Sequence, residues 1–343
     1  MELETKSEVE REHRDRQHNP WLHHDDDHME EFRKALRFKA ERRDMMESLL
    51  SGGGYFVPQQ FHDELIAMMK AVDRLFDPDV VLFVESENGG PMQLPMIDDT
   101  GTVAVIVSEG LQSSTGDLPV GNTTLAIAPT WRSKLVKASI ELIQDTAYPL
   151  EQVLMKAFAT RMSRGIGAAN VTQLLAAATL GVTASGAAAN DGGSETGGTS
   201  VGSDDLEGLI DSVDEAYRVS PKCRWLMKSA TLKTILQVKD KYGRPIFFRE
   251  RNAAGEVMLF GYPVAISPSM PAIGLNNKPI LFGDLGYFLV RVAKNATRLR
   301  IYQEQFAMYG QAAYESFVRS NATLAIATGS SDSPVKCLQN ASE

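Results

Sequence analysis

The chain has 343 residues, a length that predicts two or more structural units, and its 43% hydrophobic and 23% charged residues are ordinary for a globular protein. Its formal net charge of −9 excludes a chain that is held as a whole on nucleic acid by phosphate contacts, because acidic surfaces repel phosphate. The two cysteines, Cys223 and Cys337, exclude a disulfide framework, and the charged start lacks the apolar stretch of a secretory signal, which predicts a reducing cytoplasm.

Residues 1–50 form a strongly charged segment that contains five of the six histidines. Asp25–Asp27 precede an apolar stripe with helical spacing, which predicts a helix that ends at Ser51–Gly54. The stripe consists of Met29, Phe32, Leu36 and Ala40. The run His23–His28 has residue types that bind metals, but a metal site needs ligands that neighbouring groups hold in place. A solvated arm is therefore favoured over a metal site.

A short helix is predicted over Phe61–Leu75, and strand-forming runs follow in residues 77–130. Val80–Val84 predicts a strand, and Val103–Val107 and Thr123–Ala128 predict the two arms of a long hairpin around a polar tip. The region contains no lysine or arginine. Its acids are Asp77, Asp79, Glu85, Glu87, Asp98, Asp99, Glu109 and Asp117.

This hairpin needs a surface to lie on, because an isolated two-stranded hairpin is marginally stable in water. Its exclusively acidic charge predicts a basic surface beneath it, and the same chain offers Lys156, Arg161 and Arg164 on a long helix. The acids proposed for this contact are Glu85, Glu87, Asp98, Asp99, Glu109 and Asp117. The residues leave two alternatives open: the bases belong to a neighbouring copy of the chain, or the hairpin folds back on its own domain.

The longest predicted helix begins at Tyr148–Glu151, where Pro149 takes the first helical position. Its apolar residues recur every four positions, which predicts an amphipathic helix. These residues are Leu150, Leu154, Phe158, Met162 and Ile166. Gly165 and Gly167 fall inside the helix, although a glycine in a helix interior costs roughly 1 kcal/mol relative to alanine.

The second half of the chain begins with a Gly- and Ser-rich stretch over residues 185–203, which predicts a linker or loop. Helices are predicted over Asp204–Arg218 and Ala230–Asp240. Strands are predicted at Trp225–Met227, Val257–Phe260, Val264–Ser267, Ile280–Phe282, Tyr287–Val292 and Arg298–Gln303, and a further strand, Lys134–Ala138, is predicted before the long helix. The polar tail after Gly329 is predicted to be loose. This mixture of helices and strands predicts an α+β fold.

The catalytic motifs that the sequence suggests are all incomplete. Gly165–Asn170 is similar to a dinucleotide-binding run, but it lies in a helix and has asparagine in place of the third glycine. Gly52–Gly54 lacks the lysine and hydroxyl residue of a phosphate-binding loop. His62 is the one histidine outside the N-terminal segment, so a histidine for acid–base catalysis is scarce.

The carboxylate pair Asp98–Asp99 belongs to the predicted hairpin, where no pocket is expected, so an acidic surface is favoured over a catalytic pair. The apolar stretch Leu174–Val182 is too short to cross a bilayer. The sequence therefore predicts no enzyme, no catalytic, cofactor-binding or metal-binding residues, and no contact with a membrane.

Seven short motifs remain: Gly53–Pro58, Ala138–Asp145, Trp225–Met227, Leu236–Pro245, Leu259–Val264, Ser269–Pro271 and Ile280–Asp284. With these motifs in this order, the chain resembles the major capsid proteins of tailed bacteriophages, whose fold is named after phage Hong Kong ninety-seven. The resemblance covers residues 51–328. Gly261, two residues before Pro263, predicts a tight reversal between two strands.

The resemblance implies a division of the chain into named parts. These are a charged N-terminal helical segment, scaffold-like or an arm (1–50), an N-arm (51–76), the E-loop hairpin (77–130), a P-domain with a long spine helix (131–184), a Gly/Ser-rich linker (185–200), an A-domain (201–288), returning P-domain strands (289–328) and a polar tail (329–343). In the family the E-loop lies over an adjacent subunit, and the spine helix straightens when the shell expands. Gly165 and Gly167 would then be either a bending point or a place of close packing.

The function that the resemblance implies is self-assembly, as pentamers and hexamers in the host cytoplasm, into an icosahedral shell that encloses DNA without sequence-specific binding. Expected partners are further copies of the chain, a portal, a scaffold or protease, and a possible cement protein. Some family members cross-link through an E-loop lysine, which residues 77–130 lack, so a non-covalent shell is expected. The alternatives are an encapsulin-like nanocompartment shell and, in another class, an unrecognised metal-dependent hydrolase.

Overall fold

The computed structural model describes residues 55–56, 59–97, 106, 120–139, 141, 150–184, 201–239, 242, 244–253, 255–302, 304–325 and 333–341. These residues form two compact units. The larger unit takes in the described parts of Val57–Lys134, Lys156–Leu299 and Glu315–Glu343, and the smaller unit takes in those of Leu135–Met155 and Arg300–Tyr314 with Tyr55 and Phe56. Within the described part of the chain, no helix combines the length and the apolar character needed to cross a bilayer.

The helices follow the apolar periodicity of the sequence. They are α1 (Gln59–Val72), α2 (Leu150–Ala177), α3 (Ser203–Ser212), α4 (Glu215–Arg218) and α5 (Ser229–Leu236). Leu154, Phe158, Met162 and Ile166 of α2 are all buried, which confirms the amphipathic helix. The single helix predicted over Asp204–Arg218 is wrong, because the Asp214 side chain accepts a hydrogen bond of 2.8 Å from the backbone N–H of Ala216 and starts α4 anew.

A first sheet contains the strands β1 (Tyr55–Phe56), β2 (Leu82–Ser86), β5 (Thr130–Arg132), β6 (Val136–Ser139), β13 (Phe288–Tyr302) and β14 (Gln311–Leu324). In the larger unit, β2 runs parallel to β13, and β5 runs antiparallel to β14. In the smaller unit, β6 runs antiparallel to the start of β14. The apolar positions of β13 between Phe288 and Val292 are buried, so this strand forms part of the core of the larger unit.

A second sheet of the larger unit has seven strands in the order β7-β15-β12-β8-β11-β10-β9. These are β7 (Thr179–Thr183), β8 (Cys223–Met227), β9 (Glu250–Arg251), β10 (Val257–Leu259), β11 (Tyr262–Ile266), β12 (Ile280–Asp284) and β15 (Val335–Gln339). Phe260 and Gly261 join β10 to β11 with φ of 51° and 81°, as a type I′ hairpin turn requires. This turn confirms the reversal predicted at Gly261.

The core of the second sheet is built on its central strands. The Trp225 ring lies 4.5 Å from the Phe282 ring, and its indole N–H donates to the carbonyl of Leu259 at 2.9 Å. Side chains of α3 and α5 complete the cluster, among them Leu206, Leu209, Leu232 and Ile235. Both cysteines are buried and free, and burial raises the pKa of the Cys223 thiol to about 12.

The predicted hairpin is present as a separate two-stranded sheet of β3 (Met92–Ile97) and β4 (Val120–Leu125). The pairing is antiparallel and runs from Met92↔Leu125 to Ile97↔Val120. The first arm begins before the predicted Val103–Val107, most of which lies outside the described residues. The sequence conceals β3 because Pro95 cannot donate to a ladder, a defect that a two-stranded ribbon tolerates on its outer edge.

The prediction of a loose C-terminal tail needs correction. The tail predicted to be loose contributes β15, in which Val335, Cys337 and Leu338 are buried between β12 and β7. Its polar flanks hid this short apolar run in the sequence. Strand β7, which follows α2 directly, runs parallel to β15 at the edge of the seven-stranded sheet.

The strand predicted at Val80–Val84 starts later, at Leu82. The backbone N–H groups of Val80 and Val81 both donate to the carbonyl of Asp77 and form a turn instead. Lys222 donates to the carbonyls of Pro78 and Val81 at 2.8 and 2.9 Å, so a cation beside β8 holds this turn in place.

Candidate assembly surfaces

The chain leaves the first sheet for the hairpin at Gly89 and Gly90 and returns at Ala126–Ala128. The backbone N–H of Ala128 donates to the carbonyl of Gly89 at 3.0 Å and closes the base of the hairpin. This base lies beside two arginines on β13 and β14, Arg291 and Arg319.

Arg291 is the main support of this base. It is 1% exposed, and its guanidinium donates to the carbonyls of Gly90 and Ala126 and to Oδ1 of Asn321. Burial lowers the pKa of Arg291, and the neighbouring charge of Arg319 lowers it further. Carbonyl oxygens therefore take the place of a carboxylate partner: among the described residues, no acid forms an ion pair with Arg291.

Arg319 binds the other two carbonyls of the base. Its Nε–H donates to Ala128 at 3.0 Å, and NH2 lies 3.5 Å from the carbonyl oxygen of Gly89. A Cβ atom placed on Gly89 would lie 2.7 Å from the guanidinium carbon, so an alanine here would have to displace the end of the Arg319 side chain. We refer to Arg291, Arg319 and the four carbonyls that they bind as the hairpin anchor.

The structure does not bring all the predicted hairpin acids together. Glu85 lies on β2, paired in register with Val292, and so belongs to the first sheet and not to the hairpin as predicted. Glu87 follows β2, and both acids are exposed. Asp98, Asp99, Glu109 and Asp117 lie outside the described residues.

The predicted bases lie along the exposed side of α2. Lys156, Arg161 and Arg164 are all exposed, while the opposite side of the helix is buried. Arg161 also donates to the carbonyl of Ser133 at 3.3 Å. Within the part of the chain that the structure describes, none of the three forms an ion pair.

Gly165 and Gly167 differ in their surroundings, although they are two residues apart in a continuous helix. A Cβ atom on Gly165 would lie 3.8 Å from the Trp131 ring, which is an ordinary contact. A Cβ atom on Gly167 would lie 2.5 Å from Oδ2 of Asp73 and 3.2 Å from Oγ of Ser269. Close packing therefore explains Gly167 and does not explain Gly165.

Asp73 is a buried carboxylate that the sequence did not reveal. It accepts hydrogen bonds from the backbone N–H of Leu75 at 3.1 Å and from the hydroxyl of Ser267 at 3.0 Å, and Ser269 also bonds to it. It thereby connects the end of α1 to the segment after β11, beside Gly167 of α2. The spacing Ser267-x-Ser269 gave no signal, because the partner carboxylate is distant in the sequence.

The stability of the chain should depend on pH through Asp73. Burial raises the pKa of this carboxyl, although its hydrogen bonds act in the opposite direction. The folded chain then holds the proton more tightly, so this contribution to the free energy of unfolding is complete below the ordinary pKa and falls as pH rises to the raised pKa. Asp73→Asn should lose this dependence. Thermal unfolding over roughly pH 4 to 7 measures the difference, and parallel curves for Asp73→Asn, wild type and the exposed control Glu207→Gln would contradict it.

The surroundings of His62 indicate a role in packing. It is buried, and its Nδ1 lies 2.8 Å from Oγ1 of Thr297 on β13. Burial lowers the pKa of the ring, against the opposing fields of Glu85 and Asp63. Among the described residues, no group of three or more histidines, cysteines and acids could hold a metal ion, and the run His23–His28 lies outside them.

Similar folds are found among phage capsids. The chain of the "Capsid of empty GTA particle computed with C5 symmetry" is 24% identical, with a TM-score of 0.59, over 77% of this chain and 89% of that one. The chain of the native GTA particle is 20% identical, with a TM-score of 0.58, over 88% and 98%. A chain from Gordonia phage Cozz is 13% identical, with a TM-score of 0.55, over 78% and 86%. No curated protein matches the sequence.

These matches show that the chain has the α+β fold of phage capsid proteins. Its architecture therefore corresponds to this class of structural proteins. The model of the Phage capsid family matches residues 53–325. The chain belongs to the Phage capsid family, and it is a structural major capsid protein of the virion. This finding confirms the resemblance seen in the sequence and favours it over the nanocompartment and the hydrolase.

Proposed function

We propose that this capsid protein assembles, in the cytoplasm of the host cell, as pentamers and hexamers of an icosahedral shell around phage DNA. The observation that carries the proposal is the family match across residues 53–325, which spans the long helix, the first sheet and the second sheet except β15. Contacts distributed over many copies perform the work, so no residue has a catalytic role. The DNA is enclosed without sequence-specific contacts, in keeping with the net charge of −9.

The hairpin is proposed to lie over a neighbouring copy, with its acids on Lys156, Arg161 and Arg164. Three observations support this arrangement: the bases are exposed, they form no ion pair with the acids that the structure describes, and the hairpin anchor fixes the base of the ribbon. Exposed ion pairs are worth only about 0–1 kcal/mol each, so the specificity comes from their repetition across the shell.

Other partners are proposed from the family alone. A portal and a scaffold or protease would take part in assembly, and residues 1–50 would be either a short scaffold-like segment or an arm. Since residues 77–130 contain no lysine, the shell would be held without the E-loop cross-link, by non-covalent contacts or by a cement protein.

Reversal of charge at Arg164 tests the contact between hairpin and helix. Arg164 is the better site because Arg161 also binds the carbonyl of Ser133 within its own chain. Arg164→Glu should lower the fraction of subunits in shells by about tenfold at moderate salt, since repulsion replaces attraction at every copy. Negative-stain microscopy and sedimentation measure the shells.

The matched control is Arg164→Lys, which keeps the charge and should assemble as the wild type does. Normal shells from Arg164→Glu would refute the contact but leave the capsid function intact. A wild-type chain that stays a compact monomer under all assembly conditions would count against the shell itself.

A further inference from the structure

The two edges of the seven-stranded sheet carry opposite charges. Helix α3 lies over the edge that begins with β7, where Gly181 leaves room for Leu209, and α4 lies next to it in sequence, against β12. Their exposed acids are Asp204, Glu207, Asp211, Asp214 and Glu215. Arg218 pairs with Asp211 at 3.3 Å and with Glu215 at 3.6 Å, so the acids clearly outnumber the bases on this surface. We call these five acids the acidic edge.

The opposite edge, at β9, is basic and aromatic. Its exposed bases are Lys239, Arg244, Arg249 and Arg251, and Glu250 is the exposed acid among the described residues of this segment. We call the four bases, with Tyr242 and Phe248, the basic edge. Phe247 fixes the segment to the core, because its ring lies 5.2 Å from the Phe260 ring. The next residue, Phe248, is 69% exposed, and Tyr242 is 85% exposed.

These two surfaces are too far apart to neutralise each other within one chain. Strand β9 is six steps from β7 and four steps from β12, which at about 4.8 Å per step are separations of roughly 29 and 19 Å. Charges in water are screened over about 8 Å at physiological ionic strength. Each edge therefore presents its charge to solvent or to another molecule.

We propose that the basic edge of one copy docks on the acidic edge of the next copy. Because the two surfaces are different, the contact is head to tail, and repeated docking closes a ring if the rotation per copy allows it. The exposed Tyr242 and Phe248 supply apolar surface that would be buried when two copies dock. Aromatic residues have this role at the centres of protein interfaces. The proposal deepens the proposed function, since it names the surfaces that would join subunits within a capsomer.

A second copy fits the basic edge better than nucleic acid does. Basic and aromatic residues together also suit a single-stranded nucleic acid. A complementary surface of matching charge, however, lies on the same chain at the far edge of the same sheet, and the whole chain is acidic. Binding of an oligonucleotide therefore belongs among the outcomes of the test.

Charge reversal at each edge, alone and mixed, tests the docking. The acidic-edge variant is Glu207→Lys with Asp211→Lys, and the basic-edge variant is Arg249→Glu with Arg251→Glu. Lysine at position 211 suits the last turn of α3 but removes the ion pair with Arg218, which keeps its pair with Glu215. Each variant alone should reduce ring and shell formation by about tenfold, because the altered edge loses or reverses its net charge and no longer attracts the unchanged edge of the next copy. Native mass spectrometry and negative-stain microscopy measure rings and shells, and thermal unfolding checks the fold.

An equimolar mixture of the two variants should recover association. The unchanged basic edge of one variant can dock on the unchanged acidic edge of the other, so the mixture should give mixed dimers that neither variant forms alone. The charge-retaining control, Arg249→Lys with Arg251→Lys, should behave as the wild type does. Recovery of association in the mixture supports direct docking of one edge on the other, because two variants with damaged folds would not recover association when mixed.

The outcomes separate this inference from the function on which it rests. Normal assembly of both reversal variants, or no recovery in the mixture, would overturn the docking while wild-type shells still support the capsid function. If the basic-edge variant assembles normally but loses binding of a fluorescent single-stranded oligonucleotide, the basic edge contacts nucleic acid and the docking is wrong. Absence of any wild-type assembly would count against the proposed function.

Discussion

Replacement of Arg291 with alanine should free the base of the hairpin and lower the free energy of unfolding by about 3 kcal/mol. The wild-type guanidinium, 1% exposed, donates to two hairpin carbonyls and to Asn321. Hydrogen bonds to a charged group contribute roughly 1.5–3 kcal/mol each, and buried acceptors left without a donor add a penalty. The carbonyl of Ala126 retains Nδ2 of Asn321 at 2.8 Å, so the loss is smaller than the sum of three bonds.

The local effect should be larger than the global one. Hydrogen exchange of the Ala128 amide, which donates to Gly89, should accelerate in Arg291→Ala, and exchange in β3 and β4 should follow. Arg298→Ala is the matched control, because Arg298 is an exposed arginine on the same strand. Equal exchange and equal urea midpoints in the two variants would show that the hairpin is held by its own ladder and not by the anchor.

Loss of the anchor should also impair assembly if the hairpin reaches a neighbouring copy. A ribbon that pivots freely at its base must be ordered each time it docks, and ordering flexible groups reduces affinity. Arg291→Ala is therefore expected to form fewer shells than Arg298→Ala does under the same conditions. Fast hairpin exchange together with normal shells would mean that the docked ribbon needs no fixed base.

The sequence predicted the elements that have a local signal. The four-residue apolar spacing of α2 and the Gly261 reversal were correct because periodicity and turn geometry depend on neighbouring residues. Strand β15 was missed because its burial is decided by two distant partner strands. Strand β3 was missed because Pro95 argues against a strand in any sheet with neighbours on both sides.

The residues of the candidate surfaces could likewise be predicted only where neighbouring residues in the sequence carry the signal. The basic residues of α2 were found because a helix displays its exposed face in its own sequence. The hairpin anchor could not be found in this way, since its acceptors are backbone carbonyls that any residue carries. One signal was present: Arg291 stands among the apolar residues Phe288–Val292, and a charge inside a buried strand requires partners. Asp73 carried no such signal, because an acid after a helix is ordinarily exposed.

The second prediction with a large expected effect concerns the stability of variants at Gly165 and Gly167, the two glycines of α2. Gly167→Ala should lower the free energy of unfolding by about 1–3 kcal/mol, because the new methyl group meets a carboxylate that is held by hydrogen bonds and cannot withdraw freely. Gly165→Ala, two residues away, should be neutral or should raise stability by up to about 1 kcal/mol, because its methyl group has room beside Trp131. Urea unfolding of the two purified variants measures the contrast.

This contrast also separates the two roles considered for the pair. Gly165→Ala removes backbone freedom from the helix without disturbing the contact with Asp73, so it tests bending alone. If its shells change form as those of the wild type do, the helix does not bend at Gly165, and the constraint on the pair is the packing at Gly167. A failure to change form in Gly165→Ala, with the stability unchanged, would instead assign the bend to Gly165. Equal destabilisation by both substitutions would contradict the packing argument, since only one of the two methyl groups meets a fixed neighbour.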